Sequence, residues 1–204
     1  MKLSDAQWEK KLHISTGAGD YEKDDAHHSR YEPTGYEVLM RLAGSGLIGK
    51  EDMLVDYGCG KGRVSLFLNH LTGCRSVGIE FDEALHAAAQ KNLISCRGAS
   101  ARDEQVLFKL QSAENYILTQ ENCFYFFNPF SAEILRCVLS RIFDSFYDSP
   151  RTMHLFFYYA LDSYLTLLAS EDRLQPAGEI DCRDLFHSND PREKILIFRI
   201  DQLV

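Results

Sequence analysis

A glycine-rich turn is the part of the sequence whose residue types and spacing most clearly could do chemistry. It reads Val55-Asp-Tyr-Gly-Cys-Gly-Lys-Gly-Arg63, with glycines at positions 58, 60 and 62. Because glycine has no Cβ, the backbone can turn sharply there and approach a ligand closely. The helix predicted to follow offers free amide N–H groups and a partial positive charge at its first turn. This combination is typical of a binding site for a nucleotide-like molecule.

Two acidic residues specify that molecule further. Glu80 ends the next predicted strand, about twenty residues after the turn, where a carboxylate can accept hydrogen bonds from ribose hydroxyls. Asp56 lies two residues before the first glycine, where it would repel a pyrophosphate and suit an ammonium or sulfonium group. The spacing Gly-x-Gly-x-Gly also differs from the Gly-x-Gly-x-x-Gly of dinucleotide sites. The residues therefore favour an adenosine-type, cationic ligand such as S-adenosylmethionine.

These segments carry a resemblance to a known family. Asp56-Tyr-Gly-Cys-Gly-Lys-Gly62 resembles the first motif of class I S-adenosylmethionine-dependent methyltransferases, and Gly78-Ile-Glu80 resembles their second. The similarity extends from about Tyr31 to the C-terminus. It implies S-adenosylmethionine as the cofactor and S-adenosylhomocysteine as the product. It also assigns the methionine portion to Asp56 and to the loop residues Gly58, Cys59, Gly60 and Gly62, and the ribose to Glu80. The alternative is a glycine turn that only connects a strand to a helix.

The resemblance assigns adenine contacts to the segment after the third strand. Ser112 or Ala113 is expected to touch the adenine, because this family contacts adenine at that point. The usual acidic residue is displaced or replaced, with Glu114 two positions beyond Ser112. Glu114 could instead be a solvated residue on the following helix.

Asn128-Pro129-Phe130, after the predicted fourth strand, is the candidate for the transfer chemistry. It resembles the Asn/Asp-Pro-Pro-aromatic motif of methyltransferases that act on nitrogen, although the second proline is absent. The resemblance implies that Asn128 and the Pro129 carbonyl orient the acceptor nitrogen and that Phe130 packs on it, with Asn128 also near the cofactor. The alternative is a turn with one apolar plug.

Three further segments each have more than one interpretation. Tyr31-Glu-Pro-Thr34 resembles a segment that helps close the cofactor pocket in some protein-lysine methyltransferases. Tyr31 and Thr34 would then bond the methionine carboxylate, whereas Thr34 could simply cap the next helix. His27-His28 suits a solvated loop better than a base or a metal site, and Tyr158-Tyr159 could line the acceptor pocket or only pack in the core.

Alternating strands and helices must position these residues. Apolar runs predict strands at 53–56, 76–80, 106–110, 123–127 and 153–159, and helices at 63–71, 83–96, 132–145 and 161–169. Additional helices are expected around Trp8 and after Thr34, the latter with Tyr36, Leu39, Met40 and Ala43 on one face. The helix at 63–71 is expected to bury Val64, Phe67, Leu68 and Leu71. A terminal strand pair is expected at 174–181 and 194–200. The pattern indicates an α/β, doubly wound, Rossmann-like fold with helices on both faces. The family implies a mostly parallel seven-stranded sheet with an antiparallel last strand.

Length and composition limit the number of domains and the kinds of partner that this protein can have. The 204 residues fit one methyltransferase domain at 31–204, preceded by a short helix and loop at 1–30 that we interpret as a lid. A formal charge of −8 makes nucleic acid an unfavoured partner. The sequence has no apolar run long enough for a membrane span and none like a signal peptide at its start, so we expect a cytoplasmic protein. The six cysteines stand singly, without zinc-site spacing, and no metal is expected.

The sequence thus favours an N-methyltransferase whose acceptor is a protein side chain or a small molecule. A nicotinamide-dependent oxidoreductase is the alternative from another enzyme class, and Asp56 and the glycine spacing count against it. A non-catalytic sensor or assembly partner that binds S-adenosylmethionine is the third interpretation, which the sequence does not separate from the first.

Overall fold

A computed structural model describes residues 3–18, 31–97, 105–188 and 190–201, and these form a sheet covered by helices on both faces. The strands are β1 (Met53–Tyr57), β2 (Arg75–Glu80), β3 (Val106–Leu110), β4 (Cys123–Phe126), β5 (Met153–Tyr158), β6 (Gln175–Asp181) and β7 (Lys194–Ile200). The helices are α1 (Asp5–Leu12), α2 (Tyr36–Gly44), α3 (Arg63–Thr72), α4 (Glu83–Arg97), α5 (Ala132–Asp148) and α6 (Asp162–Ala169). None of the helices described is long and apolar enough to cross a membrane.

The seven strands lie in the order β3-β2-β1-β4-β5-β7-β6. Neighbours among β1 to β5 are parallel, while β7 is antiparallel to both β5 and β6. Six strands therefore run in one direction and β7 runs against them. The predicted doubly wound sheet with an antiparallel last strand is confirmed, and so is the terminal strand pair.

The strand order reverses beside β1, which lies between β2 and β4. The connection after β1 leads to one side of the sheet and the connection after β4 to the other. Such a reversal leaves a crevice outside the carboxyl ends of the strands, where open α/β sheets bind their ligands. The glycine turn after β1 and the Asn128 segment after β4 both lie at this crevice.

Two apolar layers hold the sheet between its helices. On one face, α1 to α4 pack through side chains such as Trp8, Leu39 and Phe67. On the other face, α5 and α6 pack through side chains such as Phe143 and Tyr164. The side chains of β4 alternate between the two layers, as the period of two in a strand requires. The predicted helices on both faces are therefore confirmed.

Two expected helix faces are wrong in detail. Met40 is 38% exposed and Leu71 40% exposed, although the apolar spacing placed both on buried faces. In α2 the buried face is centred nearer Val38 and Leu42, so Met40 lies beyond its edge. In α3 the first two turns are buried, and the last turn, with Leu71, reaches the surface before Gly73 ends the helix.

The connection between β3 and β4 also differs from the expectation that Glu114 lies on a following helix. It holds a single 3-10 turn, Ala113–Asn115, in place of an α-helix. The N-terminal helix around Trp8 forms as α1, but the loop predicted after it falls mostly at 19–30. That stretch, including His27-His28, lies outside the described residues.

Candidate active site

A cavity of about 520 Å³ opens at the carboxyl ends of β1, β2, β4 and β5. Ten of the residues predicted for the site line it, namely Tyr31, Thr34, Asp56, Gly58, Cys59, Glu80, Ala113, Asn128, Pro129 and Phe130. The predicted residues Gly60, Gly62 and Ser112 are not on its wall. Gly60 and Gly62 donate to the lining residues Glu80 and Cys59, and Ser112 lies between the lining residues Gln111 and Ala113. The structure therefore brings together segments that are far apart in the sequence.

The glycine turn adopts a backbone that requires glycine. Gly58, Gly60 and Gly62 have φ values of 70°, 53° and 85°, which place all three in the left-handed region. A Cβ on Gly60 would lie 2.1 Å from Cε2 of Tyr31, and one on Gly58 would lie 2.3 Å from Cβ of Pro129. The turn is thus shaped both by its own backbone and by residues from the two segments that close over it.

The Glu80 carboxylate ties the end of β2 to the glycine turn. Its Oε2 accepts a hydrogen bond from the Gly60 amide at 2.8 Å, and its Oε1 accepts from the amides of Phe81 and Asp82 at 2.9 and 3.0 Å. Burial raises the pKa of Glu80, and these backbone N–H groups partly oppose that shift. A carboxylate offers about four acceptor positions, so these three bonds leave capacity for about one more donor.

Asp56 is a buried carboxylate at the bottom of the same cavity, with a side chain near the glycine turn. The residue is 2% exposed, and its Oδ2 accepts a hydrogen bond from the Ser65 hydroxyl at 3.3 Å. Burial, with a smaller contribution from the charge of Glu80, raises the pKa of Asp56 to about 7. A bound cation would compensate this buried charge. The donor set therefore fits a ligand that carries an ammonium or sulfonium group.

Arg63, the first residue of α3, connects this site to the N-terminal segment. Its guanidinium donates to Oδ2 of Asp5 at 3.0 Å, to Oγ1 of Thr16 at 2.7 Å and to the Thr34 carbonyl at 3.1 Å. The side chain is 6% exposed and lies 4.4 Å from the ring centroid of Tyr36. Arg63 was not among the residues predicted for the site, although its place directly after the last glycine was a usable signal.

The Tyr31 and Thr34 side chains have protein partners at the edge of the cavity. The Tyr31 hydroxyl donates to the Thr16 carbonyl at 2.7 Å, and the Thr34 hydroxyl lies 2.9 Å from that of Tyr125. The residue that caps α2 is Gly35, and it makes no side-chain cap. The interpretation of Thr34 as a helix cap is therefore wrong, because the helix begins one residue too late for it.

Asn128 joins the ends of β4 and β5. Its Nδ2 donates to the Tyr159 carbonyl at 2.8 Å, and its Oδ1 accepts from the Leu161 amide at 3.2 Å. The Phe130 carbonyl accepts from the Tyr164 hydroxyl at 2.7 Å. The Phe130 ring is 7% exposed, so most of it belongs to the core while its edge reaches the cavity.

The segment after β3 contributes Gln111, Ala113 and Glu114 to the wall. Ser112 lies between them, and its hydroxyl accepts from Nδ2 of Asn115 at 2.9 Å. The expected adenine-contact segment thus reaches the cavity through the neighbours of Ser112. Phe81 and Leu161 also line the cavity, and no sequence motif indicated either of them.

Acidic side chains dominate the described wall of the cavity. Glu32, Asp56, Glu80, Asp82 and Glu114 line it, against Arg63 as the cationic side chain among the described lining residues. Arg63 is itself paired with two carboxylates, Asp5 and Glu9. Since like charges in a confined site add, the cavity favours cationic ligands and disfavours phosphates.

Comparison with known proteins gives the class of fold. No protein-family model and no curated protein sequence matches the chain. An RNA methyltransferase from Salinibacter ruber, solved with S-adenosyl-L-homocysteine, is 18% identical, with a TM-score of 0.57 and coverage of 85% of this chain and 96% of its own. An rRNA methylase from Streptococcus thermophilus is 14% identical, with a TM-score of 0.55 and coverage of 85% and 98%.

A third structure has a different kind of substrate. Geranyl diphosphate C-methyltransferase from Streptomyces coelicolor, solved with Mg²⁺, geranyl diphosphate and S-adenosyl-L-homocysteine, is 14% identical, with a TM-score of 0.55 and coverage of 82% of this chain and 77% of its own. The fold is therefore that of the class I, Rossmann-like methyltransferases, as the sequence predicted. The expected cofactor agrees with the molecule bound in two of these three structures.

Proposed function

We propose that this protein is an S-adenosylmethionine-dependent methyltransferase that methylates a nitrogen atom. The observation that supports it most is the position of Asp56, a buried carboxylate on the same cavity wall as Glu80. A buried acid without a cation is costly, whereas one beside a sulfonium or ammonium group is stabilised. The oxidoreductase alternative loses support for the same reason, because a dinucleotide would bring its pyrophosphate against these acids.

Different residues of the cavity would bind different parts of the cofactor. Bound S-adenosylmethionine would supply a methyl group that its sulfonium already activates. Asp56 and the turn at Gly58 would hold the methionine portion, Glu80 the ribose, and Ala113 the adenine. Positioning and exclusion of water then remain for the protein to supply, since such transfer needs little chemical assistance.

Nitrogen as the acceptor atom follows from the segment after β4. Asn128, Pro129 and Phe130 line the cavity that holds Asp56 and Glu80. The Asn128 amide keeps one N–H and one oxygen lone pair beyond its bonds to Tyr159 and Leu161. With the Pro129 carbonyl, these atoms would orient an acceptor N–H group.

The charge of the protein bears on the class of acceptor. Two of the solved neighbours are named as RNA methylases, so RNA is a second candidate acceptor. The net charge of −8 and the acidic wall favour an acceptor without phosphates, either a protein side chain or a small molecule. We place the activity in the cytoplasm as part of the same proposal.

Titration calorimetry of the purified protein tests the cofactor first. We expect S-adenosylmethionine and S-adenosylhomocysteine to bind and NAD not to bind. Glu80→Ala should abolish binding by removing the ribose acceptor, and Gly60→Val by driving a side chain into Tyr31. Binding of NAD alone would contradict the proposal, and so would full affinity in both variants.

Turnover tests the acceptor atom and separates an enzyme from a sensor. Asn128→Ala should retain cofactor binding and lose most methyl transfer, with Asn128→Asp as a variant that keeps the acceptor oxygen for the Leu161 amide. Full turnover in Asn128→Ala would contradict the role of Asn128. Tight cofactor binding with neither methyl transfer nor slow hydrolysis would favour the sensor instead.

A further inference from the structure

We infer that the acceptor is an alkylammonium group, recognised by the rings of Phe127 and Tyr159 together with the carboxylate of Glu32. All three residues line the cavity. The inference rests on the proposed N-methyltransferase function and names the substrate class of the same site. A lysine side chain and a free polyamine present the same alkylammonium chemistry, so the site is defined by that group.

The two rings form a corner at the carboxyl ends of neighbouring strands. Phe127 directly follows β4, and Tyr159 directly follows β5. Their ring centroids are 6.3 Å apart with an interplanar angle of 77°. The ring of Tyr158 lies 4.8 Å from that of Phe127. Both residues line the cavity, so each contributes aromatic surface to its wall.

The corner is held in a conformation that costs free energy. Asn128 and Tyr159 have φ values of 43° and 52°, in the left-handed region that residues other than glycine rarely adopt. The hydrogen bond from Nδ2 of Asn128 to the Tyr159 carbonyl links these two residues directly. The Tyr159 amide also donates to the Lys194 carbonyl at 3.1 Å. Strained backbone that is fixed from several sides is characteristic of a site prepared for a ligand.

The Tyr159 ring already interacts with a cation in this structure. The guanidinium of Arg192 lies 4.5 Å from its ring centroid. Asp190 neutralises that guanidinium through two hydrogen bonds of 3.1 and 2.7 Å, and it accepts a third, of 2.8 Å, from the Tyr159 hydroxyl. The β6–β7 loop therefore fixes the orientation of the ring without adding net charge.

The negative charge on the cavity wall favours an acceptor that carries a positive charge. Glu32 is an exposed carboxylate on the segment that precedes α2. The Glu80, Asp82 and Glu114 carboxylates also line the cavity and add to the negative potential. Aromatic faces attract ammonium groups, and carboxylates strengthen that attraction. Before transfer, the ammonium must release one proton to water, so that the nitrogen regains its lone pair and can attack the methyl group.

Binding of a matched pair of probes tests this inference without turnover. Choline carries a quaternary ammonium, and dimethylbutanol is its uncharged carbon isostere. We expect the protein saturated with S-adenosylhomocysteine to bind choline more tightly than dimethylbutanol. Tyr159→Leu and Phe127→Leu should each weaken choline binding by about threefold to tenfold, the range of one cation–π contact.

Control variants separate the aromatic ring from general damage. Tyr159→Phe keeps the ring and loses only the bond to Asp190, so it should bind choline nearly as well as the wild type. Tyr147→Leu removes an aromatic side chain that is 50% exposed and lies outside the cavity, so it should change nothing. Glu32→Gln should reduce the preference for choline over its isostere. Equal affinity for both probes, or binding of neither, would overturn the inference.

Formation of S-adenosylhomocysteine then distinguishes the sources of the ammonium. Turnover with Nα-acetyl-lysine amide indicates a protein side chain, and turnover with spermidine indicates a small molecule. Transfer to RNA with none to either amine would overturn the inference. Because S-adenosylhomocysteine binding is measured first in every variant, loss of that binding counts against the proposed function instead.

Discussion

Nη2 of Arg63 lies 3.3 Å from Oε1 of Glu9, across an interval of 54 residues in the sequence. The same Glu9 oxygen accepts from the amide and the hydroxyl of Thr16, each at 2.7 Å. Glu9 therefore links α1, the Thr16 segment and the first residue of α3. Because Arg63 also holds the Thr34 carbonyl, the N-terminal segment supports one edge of the cofactor cavity.

Loss of this link should weaken cofactor binding without unfolding the protein. We expect Glu9→Gln, which keeps one acceptor oxygen, to lower affinity for S-adenosylhomocysteine only slightly. Arg63→Met should lower it by about tenfold or more, because the Thr34 carbonyl loses its donor and the Asp5 and Glu9 carboxylates lose their cationic partner. Calorimetry measures the affinities, with Arg183→Met as a control whose ion pair is exposed. Equal affinity in Arg63→Met and the wild type would contradict this role of the N-terminal segment.

Replacement of Asp56 should stabilise the ligand-free protein and, at the same time, abolish cofactor binding. Its folded-state pKa is raised from 3.8 to about 7, so the protonated acid contributes stability at low pH that is lost as pH rises through 7. At about 1.36 kcal/mol per pKa unit, this shift corresponds to at most about 4 kcal/mol. We therefore expect Asp56→Asn to raise the free energy of unfolding at pH 8 and to change it little below pH 4.

Urea denaturation at the two pH values measures this effect. The wild type is the reference, and Ser65→Ala, which removes the hydroxyl that bonds Asp56, is the control. That control should lower stability most at pH 8, where the carboxylate is charged. An equal loss of stability in Asp56→Asn at both pH values would show that its charge is not the cause.

Cofactor affinity should depend on the same carboxylate. Since a cation binds the ionised acid, S-adenosylmethionine should lower the pKa of Asp56 and release protons when it binds near pH 7. Affinity should accordingly fall as pH drops below 7. Calorimetry in buffers of different ionisation enthalpy counts the protons released. Asp56→Asn should remove the part of the release that Asp56 supplies, and an unchanged count would assign it to another group.

Two glycines that share a backbone conformation should differ in their tolerance of a side chain. Gly62 and Gly73 have φ values of 85° and 77° and flank α3. A Cβ on Gly62 would lie 2.4 Å from Cζ of Phe108, whereas one on Gly73 would meet nothing closer than 3.6 Å. Gly73→Ala should cost about 1–2 kcal/mol from backbone strain alone. Gly62→Ala should cost clearly more in urea denaturation, and equal costs would contradict the packing role of Phe108.

The sequence predicted the sheet better than the side-chain partners, for a physical reason. Both β3 and β7 appear in the sequence as short apolar runs, so their observed bounds were predicted. The glycine turn, Asp56 and Glu80 were recognisable because each lies at the end of a predicted strand and the glycines follow one another at a fixed local spacing. Whether these residues bind the cofactor stays a prediction.

The contacts between distant segments had no such local signal. Arg63 meets Asp5 across 58 residues, and Asn128 meets Tyr159 across 31. Nothing in the spacing of either pair indicates the contact, because packing of the whole fold brings them together. The wrong cap at Thr34 has a similar origin, because its carbonyl bonds the distant Arg63 while α2 begins after Gly35.

The hydrogen bond from Asn128 to Tyr159 holds the backbone at position 159 and does not depend on the side chain there. Asn128 recognises the carbonyl of residue 159 and the amide of residue 161, and these atoms are common to nearly every amino acid. A change of side chain at 159 to a residue that tolerates a left-handed backbone would leave this link intact. If residue 159 contacts the acceptor as we propose, acceptor preference can diverge in descendants of this protein through that position, while the framework around it stays as it is.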